Sequence, residues 1–260
     1  MTIRGGVERL GARSIAFVSE LGRIAQFGGV VLVQIAKRPL RVRRLVRETY
    51  DSGVLSFALV CASGLTVGAV LGLTLHGVLL RFGAEETLGT VVGLALIQEL
   101  GPVLTGLLVT GRAGSAMATE IAVMTATEQI DGMRTMAVDP MHYVVAPKAL
   151  ALMLSLPLLS CLFIVFAIFG AYLIGVRLLG LDAGVFFSGL ENSVEFSNHV
   201  LGSLLKAFVF GALIALVATY RGYTSGRSAE AVGRATTSTV VTASVCILLA
   251  DYVVTALWEF

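Results

Sequence analysis

VVAPKALALMLSLPLLSCLFIVFAIFGAYLIGV, residues 144–176, carries one charged side chain, Lys148, and then none for 28 residues. A helix needs about 20 apolar residues to cross the hydrocarbon of a bilayer. This stretch is long enough to cross with tilt, and too long and too apolar for the core of a small soluble domain. Four further runs of the same kind lie on either side of it. With 144–176 as the third span, the first is expected at 53–80, the second at 87–111, the fourth at 201–220 and the fifth at 236–258. The expected fold is all-α and integral to the membrane.

Composition agrees. Of 260 residues 56% are hydrophobic and 14% are charged, against about 25% charged in soluble domains. The net charge of +2 is too small to argue for nucleic acid; its distribution says more. Sixteen of the nineteen Lys and Arg residues fall in the N-terminal segment, in 112–148 and in 221–234. Arg81, Arg177 and Lys206 are the exceptions. Glu85, Glu86, Asp182, Glu191 and Glu195 sit in the alternate loops. The positive-inside rule then predicts a cytoplasmic N-terminus, and five spans put the C-terminus on the other side.

Before the first span, residues 8–36 show Phe17, Leu21, Ile24, Gly28 and Val31 at helical spacing, with Arg9, Arg13, Glu20 and Arg23 between them. This pattern predicts an amphipathic helix lying in the membrane interface. KRPLRVRR follows FGGVVLVQIA directly, so no signal-peptide cleavage site is expected. Gly64, Gly68 and Gly72 form overlapping small-xxx-small repeats, which let helix backbones approach closely in lipid.

The segment between the second and third spans, 112–143, is longer than a connection requires. Residues 116–136 read as one amphipathic helix, ended by Asp139-Pro140. Ile121, Met124, Ile130 and Met133 make its apolar side; Glu120, Thr127, Glu128, Asp131 and Arg134 make its polar side. A patterned cytoplasmic helix of this kind is suited to being gripped by another protein.

No catalytic residues are expected. The three lysines do not follow glycines, so there is no phosphate-binding G-x-x-x-x-G-K-[ST] loop. His-Glu-x-x-His and G-x-S-x-G are absent too. Cys61, Cys161 and Cys246 lie inside apolar runs, and His76, His142 and His199 are scattered, so neither metal nor disulfide is expected. If energy is used, a partner supplies it. Besides Lys148 at the head of the third span, three charges fall inside spans: Glu99, Lys206 and Asp251. Isolated charges there cost several kcal/mol, so Glu99 is expected to face a cavity or a helix interface. Lys206 and Asp251, at one depth on consecutive spans, are expected to form an ion pair.

Residues 98–140, QELGPVLTGLLVTGRAGSAMATEIAVMTATEQIDGMRTMAVDP, resemble the signature of the MlaE/YrbE permease family. The E-L-G-P-V, G-R-A-G-S-A, T-E-Q-I and M-A-V-D-P blocks occur in order. GVLSF, SLPLLS, GRATTSTVV and DYVVTAL extend the likeness over nearly the whole chain, in the compact form typical of Gram-negative bacteria. The resemblance implies a homodimeric inner-membrane permease of an MCE-associated ABC transporter that moves phospholipid between inner and outer membranes and maintains lipid asymmetry. It implies as partners a cytoplasmic MlaF-like ATPase, which holds the ATP and Mg, an MlaB-like STAS-domain protein and a periplasmic MlaD-like MCE ring; this chain carries no cofactor. It makes 116–136 the coupling helix, and it places Leu71, Val78, Leu79 and Phe82 on the lipid path, with Glu99 beside them. Phe82 and Gln98 stand where a well-known member of the family has a tyrosine and an arginine. A scaffold that anchors an MCE ring without moving lipid is the alternative from another class.

Overall fold

The computed structural model describes residues 3–37 and 42–259; Arg38 and Arg41 lie outside it, as do the side chains of Arg4, Arg9, Arg13 and Phe17. Every element among the described residues is helical. In chain order they are α1 (Ile3–Ala36), α2 (Val42–Leu80), α3 (Glu85–Ala126), α4 (Gln129–Thr135), α5 (Met141–Leu178), α6 (Ala183–Ser193), α7 (Phe196–Tyr223) and α8 (Ala229–Glu259). Five of them, α2, α3, α5, α7 and α8, are long and apolar enough to cross a membrane. Each overruns its expected bounds, because polar turns continue the helix beyond the hydrocarbon-length core at one or both ends.

The first and third spans pack backbone to backbone. A Cβ on Gly64 would stand 2.7 Å from the Phe163 carbonyl oxygen and one on Gly72 3.1 Å from the Ala171 Cα, while one on Gly68 would collide with the Ala167 carbonyl. The glycine repeat therefore serves an intramolecular contact, α2 on α5. Phe163, Leu156, Leu152, Phe210 and Ile214 fill the centre of the bundle, all fully buried.

One end of the bundle is basic (Arg43, Arg44, Arg47, Arg112, Arg221, Arg227, Arg234) and the other acidic (Glu85, Glu86, Asp182, Glu191, Glu195). At the basic end α1 is pinned to α7 and to the turn before α5. Phe27 packs edge-on at 5.5 Å from the Tyr220 ring, Glu20 pairs with Arg221 at 2.8 Å, and Gln34 Nε2 donates to Asp139 at 2.8 Å. At the acidic end α6 is a helix that the sequence reading left as loop. Asp182 caps it by accepting from the Val185 N–H at 3.0 Å, and Phe186 is buried, with its backbone against Gly89 of α3 and its ring edge-on to Tyr172 of α5 at 6.0 Å.

The stretch 116–136 departs from the reading as one helix. Residues 115–126 continue the second span without a break, and the chain then turns at Glu128, whose φ of +59° is left-handed. A left-handed non-glycine residue costs about 1–2 kcal/mol. Nothing in the local sequence signals such a turn, since glycine or asparagine normally marks it. The coupling segment is an elbow: the end of α3, then α4.

Candidate functional site

Pro102 begins the site. Lacking an N–H, it cannot donate to the Gln98 carbonyl four residues earlier, and within a span that carbonyl has no water to turn to. The helix loosens into a π-helical turn over Leu96–Leu100, a distortion that recurs at functional positions. Lys206, from α7, fills the gap: its Nζ donates to the Gln98 carbonyl oxygen at 2.9 Å. The same ammonium stands 2.8 Å from Glu99 Oε1 and 3.4 Å from Asp251 Oδ1. Thr255, one turn beyond Asp251 on α8, donates to Glu99 at 3.3 Å and to the Asp251 carbonyl at 2.8 Å.

The three charges thus meet. The lysine is the buried member, with 7% of its side chain exposed, against 21% for Asp251 and 42% for Glu99. Asp251 Oδ1 is buried without a hydrogen bond; its charged neighbour is the Lys206 ammonium, at ion-pair range. Two carboxylates face one ammonium, so the cluster has a carboxylate in excess. Beside it opens a cavity of about 370 Å³ lined by Gln98, Glu99, Ser203, Lys206, Thr255 and Trp258, among others. The Trp258 indole donates to the Asn198 carbonyl at 3.0 Å and lies over Gly202, where a Cβ would stand 2.9 Å from Nε1.

The first-span set lies elsewhere. Leu71 and Leu79 are half-buried against the core, while Val78 and Phe82 are exposed, and none of the four lines this cavity. Within one chain the cavity is made by the second, fourth and fifth spans.

The coupling residues divide. Glu128 and Asp131 both hold Arg227, from the loop between α7 and α8, at 3.1 and 2.8 Å. Arg134 bonds Asp131 at 3.1 Å and the Tyr223 hydroxyl at 2.7 Å. Thr127 bonds the Val123 carbonyl. Glu120 points another way, to Lys148 on α5, 2.6 Å from its Nζ. Lys148 also holds the buried Glu48 of α2 at 2.6 Å, and Arg112 of α3 donates to the Asp51 carbonyl at 2.8 Å and Ser56 at 2.9 Å. Sequence reasoning missed this knot joining the first, second and third spans. The signal was present: Lys148 is the one charge at the head of the longest apolar run.

The profile of the family described as Permease MlaE matches residues 45–257. The chain belongs to the MlaE permease family. Among its relatives the permease is 42% identical, over 96% of both chains, to the intermembrane phospholipid transport system permease protein MlaE of Haemophilus influenzae. It is 38% identical to a probable ABC transporter permease protein of Rickettsia typhi, over 95% of both. A probable ABC transporter permease protein of Synechocystis matches at 32% over 86% of this chain and 85% of its own. The permease is a multi-pass membrane transport subunit of an ABC system and not an enzyme.

Proposed function

We propose that this permease moves phospholipid between the inner and outer membranes and so maintains outer-membrane lipid asymmetry. In this reading it is a homodimer in the bacterial inner membrane. It is driven by an MlaF-like ATPase with an MlaB-like STAS protein and delivers to or receives from an MlaD-like MCE ring. The observation that carries the proposal is end-to-end similarity to the Haemophilus chain named for that transport, in a protein whose spans hold a charged cavity.

The positive-inside rule sets the basic end in the cytoplasm, with the N-terminus, and leaves the C-terminus and the Glu99 cavity on the periplasmic side. There Lys206 is the fixed member of the cluster and Glu99, the more exposed one, the mobile member. A headgroup phosphate would replace Glu99 at the ammonium, and the excess carboxylate would suit a headgroup amine. Leu71, Val78, Leu79 and Phe82 would supply acyl-chain surface where two protomers meet. At the other end the elbow of Thr127, Glu128, Asp131 and Arg134 would seat in the ATPase. Glu120, through Lys148, would tie the elbow to the first and third spans.

A photo-crosslinker at Thr255 or Val78 in the purified complex tests the path. Capture of phospholipid there, well above capture at Leu158 and Val165 on the exposed face of the third span, is the expected result. Equal labelling at all four positions would mean bulk lipid and would sink the assignment.

A further inference from the structure

We propose a second phosphate site, at the basic end of the bundle, that holds the headgroup phosphate of a phospholipid in the adjoining leaflet. It lies at the opposite end of the spans from the Glu99 cavity and does not depend on the transport reading.

The length of α2 gives the depth. The helix has 39 residues, about 58 Å at 1.5 Å each, far more than the roughly 30 Å of hydrocarbon. Residues 52–80 contain no Asp, Glu, Lys or Arg and, at about 43 Å, cover that thickness and part of the interface beyond it. The ten residues before them, Val42–Asp51, therefore lie at the level of the headgroups.

Their side chains are arranged for that layer. Val42, Val46 and Tyr50, at i, i+4 and i+8, are each more than half exposed and form an apolar outer stripe. Arg43 and Arg47, also four apart and exposed, run beside it. On the inner side Arg44 stacks on the Tyr143 ring at 4.2 Å and lies 3.7 Å from the buried Glu48. Between α2, α3 and α5 these residues wall a cavity of about 810 Å³.

The charges in that cavity are unevenly matched. Lys148 is spent on Glu48 and Glu120, and Arg44 leans on Glu48. Arg43 and Arg47 have no carboxylate within 4.0 Å among the described residues, although they line the same space; Asp51 lines it too, one carboxylate without a cation against two guanidiniums without a carboxylate. Two unpaired guanidiniums, each a planar fork of donors, fit phosphate oxygens. Free phosphate has the same oxygens. The apolar stripe beside the arginines and their depth favour a phosphate that arrives attached to acyl chains.

The test is native mass spectrometry of the detergent-purified full chain, titrated separately with phosphatidylglycerol, phosphatidylethanolamine and diacylglycerol. The wild type is expected to retain a phospholipid equivalent that Arg43→Gln/Arg47→Gln binds about thirtyfold more weakly, from roughly fivefold per basic residue near a lipid surface. Arg43→Lys/Arg47→Lys should fall between them, since charge remains and the fork is lost. Diacylglycerol should not fill the site, and millimolar inorganic phosphate should not empty it. Both arginines are exposed, so unchanged gel-filtration behaviour is expected of each variant; if the glutamine variant aggregates, the lysine variant decides. Equal phospholipid retention by wild type and variants would overturn the proposal. So would displacement by inorganic phosphate, which would mark a free-anion site. Loss of ATPase binding with lipid retention unchanged would mark a protein interface instead.

Discussion

Alanine placed along the glycine stripe of the first span should damage the fold in a fixed order. At Gly64 the new Cβ would stand 2.7 Å from the Phe163 carbonyl oxygen, 0.7 Å short of the 3.4 Å at which ordinary contact begins. At Gly72 the shortfall is 0.3 Å, against the Ala171 Cα at 3.1 Å, and at Gly68 it is the largest of the three. Gly77, on the same helix, would meet nothing within 4 Å. The obstructing atoms are backbone, so the helices themselves must part. A gap of 0.5–1 Å forfeits about a quarter to a half of each dispersion contact it opens, and overpacking typically costs about 1–3 kcal/mol. Gly64→Ala should therefore cost about 2 kcal/mol, Gly68→Ala about 3 kcal/mol or more, and Gly72→Ala about 1 kcal/mol. Gly77→Ala should be neutral or stabilise by up to about 1 kcal/mol, as mid-helix glycine gives way to alanine. At roughly 2–4 °C per kcal/mol for a chain of this size, thermal unfolding in detergent should show Tm falling by about 6–12 °C for Gly68→Ala and rising or holding for Gly77→Ala. Four equal shifts, or loss of dimer with unchanged unfolding of the protomer, would refute the assignment of this stripe to the contact within one chain.

Three further outcomes follow from the charged networks. Lys148→Ala leaves Glu48, 11% exposed, with Arg44 alone at 3.7 Å, and should cost about 3 kcal/mol, the lower end of the range for breaking a buried pair, in an unfolding titration; adding Glu48→Gln should recover much of it, and no recovery would mean the knot is not energetically coupled. Lys206→Ala takes the cation from Asp251 and Glu99 and the donor from the Gln98 carbonyl and should lower complex yield. The exchange Lys206→Asp with Asp251→Lys should restore part only, because it moves the ammonium off the carbonyl; a double variant no better than the worse single one would show the pair to be uncoupled. Arg227→Glu breaks pairs that are more than 40% exposed at every member and so should change stability by less than about 1 kcal/mol, while ATPase co-purification falls; normal ATPase binding and activation would remove the elbow from the coupling surface.

The spans were legible because a bilayer imposes one length and one composition on any helix that crosses it. Lys206 and Asp251 could be paired by depth alone, since consecutive antiparallel spans share a ruler. Glu99 could be flagged by its cost in lipid, but its place between them depends on which spans adjoin, and that is set by packing across the whole bundle. Pro102, four residues after Gln98, was the overlooked local clue: it announces a carbonyl in need of a donor. The glycine repeat announced close approach and left the partner open, because close approach within a chain and between chains asks for the same small residues. The elbow at Glu128 was hidden for a different reason: no glycine or asparagine marks its left-handed turn, and one of its contacts, Arg227, comes from a distant loop.

The most direct measurement of the central claim is lipid exchange between two liposome populations. One holds the permease with the ATPase and MCE proteins proposed as its partners, and headgroup-labelled phospholipid is followed in both directions with and without ATP. Net ATP-dependent movement by the wild type is expected, with movement lost and assembly retained in Glu99→Gln. ATP hydrolysis by a fully assembled complex with no movement of lipid in either direction would contradict the account and leave the chain a scaffold for the ring.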